Sequence, residues 1–569
     1  MRNADCGVRR PCRRSGTDSG GTAAALHMLI QDLWYKNAVV YCVNVETFVD
    51  ANGDGIGDFE GLMRSLDYLA GLGVTCLWLL PFYPSPRRDD GYDVADYYGV
   101  DGRYGTLGDF VEFMHQADSH GIRVVIDLVI NHTSIDHPWF RAARRDPKAR
   151  TRDWYVWSKK RPRDWNKGMV FPPVQKSTWS FDAVARQWYF HRFFDFQADL
   201  DTSNPDVRTE IKRIMGYWLE LGVSGFRLDA LPFVISSKGP DVQPRHDFNF
   251  LREMREFLQW RSNDAVLLAE ANVPPNEDLD YFGDRDDRMH MMFNFIVNQN
   301  LFYALASADT RPLVRALERT RQRPVTAQWG HFLRNNDELD LARLTDAQRE
   351  RVFAAFAPEK GEQLYGRGIR RRLAPMLGND RRRMELAYSL MFTLPGTPVI
   401  RYGDEIAMGD DLALHERQAS RTPMQWSRER HGGFSTAKRT VLPVIDDPVF
   451  GYEHVNVADQ RRDPASFLNW MERIIRLRKE VPEIGWGDWQ VLKSGSPNVL
   501  AIRYDWRSNA VIVVHNLDAK PHTIRLGGGN LVNLLSNDHS DDSTIAIEGY
   551  GYRWYRVGGL GHWLRRERA

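Results

Sequence analysis

Eight short apolar runs between residues 36 and 405, separated by stretches of helical periodicity, constrain the fold of this chain more than any other feature. They are AVVYCVNV from Ala38, VTCLWLLP from Val74, IRVVIDLVI from Ile122, GFRLDA from Gly225, VLLAEAN from Val266, MMFNF from Met291, HFLRN from His331 and TPVIRYG from Thr397. Strands that alternate with helices build parallel sheets, and such strands are covered on both faces, so they read as unbroken apolar runs. Eight of them predict an α/β fold, the (β/α)8 TIM barrel.

Two stretches break the alternation. About 70 residues rich in Trp, Arg, Pro and Phe separate the third run from the helical NPDVRTEIKRIMGYWLELG, too many for an ordinary loop. They predict a subdomain over residues 132–199, inserted between barrel portions 31–131 and 200–484. After the helical PASFLNWMERIIRLRKE, the segments VLAIRYD, AVIVVHNL and STIAIEGYGYRWYRV alternate with period two, which predicts a C-terminal antiparallel β-sandwich over 485–560. Residues 1–30 read as a disordered leader, or as the product of an upstream start codon with Met28 the true beginning.

A chain of 569 residues that is 43 % hydrophobic can bury a large core, and a net charge of +1 argues against nucleic-acid and membrane-surface partners. Four cysteines without metal spacing or disulfide density point to a reduced, cytoplasmic setting. No window approaches the roughly 18 continuous apolar residues of a membrane span. Monomer and homo-oligomer both remain open.

The stretch VDANGDGIGDFEG, residues 49–61, sets Asp50, Asn52, Asp54 and Asp58 at positions 1, 3, 5 and 9 of a calcium loop, with glycine at position 6. Position 12 is Gly61, where a sensor loop needs glutamate, and a strand rather than a helix precedes it. A hard-cation loop, or an Asx-rich turn, is what remains.

In a TIM barrel the chemistry sits at the carboxyl ends of the strands. Asp127, Asn131 and His132 flank the end of the third run, Arg227 and Asp229 close the fourth, Glu270 ends the fifth, and Asn336 and Asp337 end the seventh. Asp229, Glu270 and Asp337 therefore converge on one mouth. Paired carboxyl groups are what glycoside cleavage needs, one to attack the anomeric carbon and one to protonate the leaving oxygen.

DLVINHTS, GFRLDA, LLAEAN and FLRNNDEL resemble, in order, the four motifs of the α-amylase family of retaining glycosidases and transglycosidases, over about residues 34–560. HPWFRAARRDP, YGRGIRRRLAPML, GDEIAMGDD, RTPMQW and GYEHVNVADQRRDP are similar to the branch of that family that isomerises maltose to trehalose. The resemblance implies that Asp229 is the nucleophile, that Glu270 is the general acid/base, and that Asp337 grips the sugar's 2- and 3-hydroxyls. It implies that Arg227 keeps the nucleophile ionised, that Tyr92 stacks on the glucose, and that His132 donates to its 6-hydroxyl. Asp89 and Arg421 would close the glycone pocket, and Asn336 stands where the family motif has histidine.

The resemblance further implies structural Ca2+, or Mg2+, bound by Asp50, Asn52, Asp54, the Ile56 carbonyl and Asp58, and a second cation joining Asn131 and Asp199 to a position filled here by Ser236. No organic cofactor is expected. The implied substrate is a small disaccharide. The alternatives are an exo-acting α-glucosidase and a binding protein that kept the barrel and lost the chemistry.

Overall fold

The computed structural model describes residues 33–526, 530–536, 538–540 and 544–558, so the expected leader lies outside the described residues. Eight parallel strands close into a barrel: β1 Val40–Val43, β2 Cys76–Leu79, β3 Arg123–Leu128, β4 Gly225–Leu228, β5 Val266–Ala269, β6 Met291–Phe293, β7 Gln328–Phe332 and β8 Thr397–Arg401. They neighbour one another in chain order, and β8 returns to β1 through Val40↔Val399 and Tyr41↔Ile400. Each lies within or overlaps one of the eight apolar runs. Except for Arg123, every residue in them is buried, which is why the runs carry no period-two alternation.

The start of β4 depends on glycine. Gly225 has φ +148°, and a Cβ there would meet the Val266 carbonyl of β5 at 2.2 Å, so a side chain would push apart the two strands that carry Asp229 and Glu270.

Between β3 and the helix Pro205–Glu220, which Asn204 caps, lie two small antiparallel sheets. His132–Ser134 pairs with Gln197–Asp199, and Gln187–Phe190 pairs with both Trp157–Ser158 and Trp179–Asp182. The first of these sheets joins the end of β3 to the far end of the insertion.

After the helix Phe467–Glu480 comes a six-stranded antiparallel sheet, with a two-stranded sheet, His522–Arg525 with Thr544–Ile547, packed on one face. Val499, Ala501, Ile512 and Val514 point to that partner, while Leu500, Ile502, Val511 and Val513 join the barrel's core cluster. Period-two alternation here separates two apolar faces. No helix among the described residues is long and apolar enough to cross a membrane.

Candidate active site

Asp229 and Glu270 follow the last residues of β4 and β5 directly. Ala230 turns left-handed (φ 48°, ψ 41°), an uncommon conformation for a residue with a Cβ. It is held there because its N–H donates to Glu270 Oε2 (3.1 Å) while the N–H of Leu231 donates to the Glu270 carbonyl (3.1 Å). Asp337 lies five residues beyond the end of β7, not at the strand's edge as the run suggested. Its loop is pinned by Arg334, which donates to the Asp337 carbonyl (2.8 Å), and by Arg401, which donates to the Asn335 carbonyl (2.9 Å).

Arg227, fully buried, organises the acids. One arm donates to Asp229 Oδ1 (2.7 Å) and to Asp127, the other to Glu270 Oε2 (2.6 Å). Burial pushes the Asp229 carboxyl up, Arg227 draws it down, and Glu270, Asp127 and Asp337 push it up again. Burial likewise lifts Asp127 to about 6 against the pull of Arg227. One guanidinium cannot neutralise three carboxylates, so burial and the neighbouring charges leave the Asp229 carboxyl well above its ordinary range. A retaining glycosidase works with an ionised nucleophile beside an acid that carries the proton, and the Arg227 bond is the contact that favours the ionised form of Asp229.

A pocket of about 510 Å³ opens over these groups, and Asp89, Tyr92, His132, Asp229, Glu270 and Asp337 all line it. The other expected residues stand behind them. Asn336, 1 % exposed, donates through Nδ2 to the Tyr92 hydroxyl (3.0 Å), and its own carbonyl accepts from Arg421 Nε (2.7 Å). His132 is buried, which pushes its imidazole down and keeps it neutral. Its Nε2 is bonded to the Tyr92 carbonyl (3.0 Å) and its Nδ1 to Asn131 (3.2 Å), so donation to a sugar hydroxyl requires one of these bonds to open.

The closure of the glycone end differs from the expected Asp89–Arg421 pair. Arg421 bonds Asp90 and Asp337 Oδ1 (3.1 Å), while Asp89 is held by Arg417 (3.0 Å) and Gln197 (3.0 Å). Arg417 also donates to Asp337 Oδ1 (2.7 Å) and lies over the Phe171 ring. It therefore ties together two carboxylates that would face the glucose. Sequence reasoning missed Arg417 and Gln197; the available signal was that Arg417 stands four residues before the RTPMQW arginine in HERQASR.

The expected second cation site is corrected. Lys238, whose side chain is 3 % exposed, donates through Nζ to Asn131 Oδ1 (2.8 Å) and to the carbonyls of Asn131 (3.2 Å) and Leu200 (2.9 Å), and lies 2.9 Å from Asp199 Oδ2. The oxygen ligands are present and hold a cation, but it is the chain's own ammonium. A divalent ion does not fit beside it.

In the loop after β1, Asp50 and Asp58 are buried while Asn52 and Asp54 are exposed. Asp50 accepts from the N–H groups of Gly53 and Gly55, and Asp58 caps the helix Phe59–Arg64. Burial lifts the Asp58 carboxyl, with the Asp50 charge adding to it. Among the described residues no three His, Cys, Asp or Glu side chains converge as a metal cluster, so an ion here also needs Asn52 and the Ile56 carbonyl. That all-oxygen set suits a hard cation.

The barrel and its carboxylate pair define a glycoside-active enzyme, and the chain belongs to the α-amylase family: the family's description "Alpha amylase, catalytic domain" matches residues 43–487. Trehalose synthase/amylase TreS of Mycobacterium tuberculosis is 43 % identical over 556 residues, covering 94 % of this chain and 92 % of that protein. Trehalose synthase of Thermus thermophilus is 44 % identical over 490 residues, 85 % of this chain and 50 % of that protein. Among solved structures, a MutB mutant in complex with the substrate sucrose superposes with a TM-score of 0.75 at 25 % identity, covering 92 % of this chain and 99 % of that one.

Proposed function

We propose that this enzyme interconverts maltose and trehalose by moving one glucosyl unit through Asp229. The observation that carries the reading is the near full-length likeness to the trehalose synthase/amylase of Mycobacterium tuberculosis, joined by a 44 % identity to half of the Thermus thermophilus trehalose synthase. A pocket whose glycone end is crossed by Asp89, Arg417 and Asp337 supports it, since such a pocket admits a chain end and not the middle of a polymer.

Asp229 attacks C1 of the non-reducing glucose while Glu270 gives its proton to the departing glycosidic oxygen, leaving a glucosyl ester on Asp229 and free glucose in the pocket. That glucose turns and presents its anomeric hydroxyl. Glu270 takes the hydroxyl proton as the oxygen attacks C1, the ester breaks, and two inversions give trehalose with Asp229 ionised and Glu270 protonated again. Proton NMR of the anomeric signals tests this. Maltose and trehalose should each convert to the other with little free glucose, whereas glucose as the sole product would make the enzyme an α-glucosidase.

We also assign a structural Ca2+ to Asp50, Asn52, Asp54, the Ile56 carbonyl and Asp58. It would neutralise the paired Asp50 and Asp58 charges and tie the turn after β1 to residues 434–441, which already meet the loop through the Asp50 N–H to Phe434 carbonyl bond (2.9 Å) and the Val441 N–H to Gly55 carbonyl bond (2.8 Å). Thermal melts in EDTA should fall by several degrees and recover with Ca2+, while Asp50→Asn loses the response. Cys42 and Cys76, both buried thiols, favour a cytoplasmic setting.

A further inference from the structure

A second hollow, of about 450 Å³, lies behind the loop that follows β5. Val273, Pro274 and Glu277 of that loop line the active pocket, while Pro275, Asn276, Asp278 and Leu279 turn to the hollow. Its far side is Arg319, the last residue of the helix Arg311–Arg319, with Gln322 beyond it. A hollow of this volume takes a small molecule.

Asp278 opens the helix Asp278–Phe282 and is 7 % exposed. Its carboxyl makes no hydrogen bond and no ion pair among the described residues, and neither does the exposed guanidinium of Arg319 across the hollow. Burial pushes the Asp278 carboxyl up to about 7, with Glu277 adding to the shift and Arg343 opposing it. A carboxyl more than nine-tenths buried, facing a hollow without a donor, lacks the partner that such groups have in folded proteins.

The lining narrows what that partner is. A divalent cation needs several oxygen ligands, and one carboxyl beside a guanidinium does not supply them. An anion suits Arg319 but meets Asp278. A neutral molecule with several hydroxyl groups suits both: its hydroxyls donate to Asp278, accept from Arg319 and exchange hydrogen bonds with the amides of Asn276 and Gln322. Pro275 and Leu279, the latter 40 % exposed, offer its C–H face an apolar contact.

We propose that this hollow is a second sugar site, which binds a neutral mono- or disaccharide through Asp278 and Arg319 on the back of the loop that walls the active pocket. The site does not depend on whether the active pocket isomerises or hydrolyses its substrate.

The test is equilibrium dialysis of the full chain against a radiolabelled maltose analogue with sulfur in the glycosidic bridge, which the active pocket can hold without cleaving. The unmodified enzyme should bind two equivalents. Asp278→Asn and Arg319→Ala should each weaken one of them by about tenfold or more and leave the other within about twofold. Because Asp278→Asn relieves an unpartnered buried carboxyl, its melting temperature should hold or rise, which separates lost binding from lost folding. No binding, a single equivalent that survives both substitutions, or two equivalents that neither substitution weakens would overturn the site. A single equivalent that either substitution removes places the sugar in the hollow and counts against the active pocket instead.

Discussion

Asp229→Asn is expected to lower maltose turnover by about 10⁴-fold or more without lowering the melting temperature. The amide keeps the side chain's shape but is a poor nucleophile, so no glucosyl ester forms. Stability should hold because Asp229 shares the one Arg227 cation with Asp127 and Glu270, and removing a carboxylate from that cluster relieves repulsion. Glu270→Gln separates the two roles. It should cost about 10²- to 10⁴-fold with maltose, whose leaving oxygen needs a proton, and far less in the first step with α-glucosyl fluoride, whose leaving group does not. Initial rates on both substrates, with melts of each variant, check this. Wild-type rates in Asp229→Asn would remove the nucleophile assignment, and loss of folding would show that the cluster is structural.

The barrel was legible because its strands are buried on both faces, and Asp229 and Glu270 were legible as strand-end acids because each follows its strand immediately. What was not legible depends on side chains that meet across the fold. Nothing local to Arg417 says that its guanidinium spans Asp89 and Asp337, which lie 328 and 80 residues away in the chain. RTPMQW drew the expectation to Arg421, whose short reach to Asp90 and Asp337 leaves Asp89 to its neighbour four residues earlier. Asn336 and Arg227 contact Tyr92 and Asp229, but their burial behind the lining residues is a packing outcome that motif spacing does not encode.

Lys238→Met is expected to destabilise the enzyme by about 3–5 kcal/mol, the cost of removing one partner from a buried ion pair. The methionine fills the space of the lysine stem but leaves Asp199 Oδ2, the Asn131 amide oxygen and the Leu200 carbonyl without the ammonium that all three face. These groups lie where β3 meets the inserted subdomain, through the pairing of His132 with Asp199. The loss should therefore also reach catalysis, because the insertion carries Phe171, Phe193 and Gln197 to the pocket. Lys238→Ala separates charge from volume. It should lose similar stability in EDTA and regain part of it in millimolar Ca2+, since the space vacated is ringed by the hard oxygen donors that calcium takes. Lys238→Met should gain no more from Ca2+ than the unmodified enzyme does. Urea melts of the three proteins with and without Ca2+ decide the matter: a methionine variant within about 0.5 kcal/mol of the unmodified enzyme would mean that the ammonium is incidental to this junction. The expected result would mean that a lysine two residues beyond Ser236 does the work of an ion.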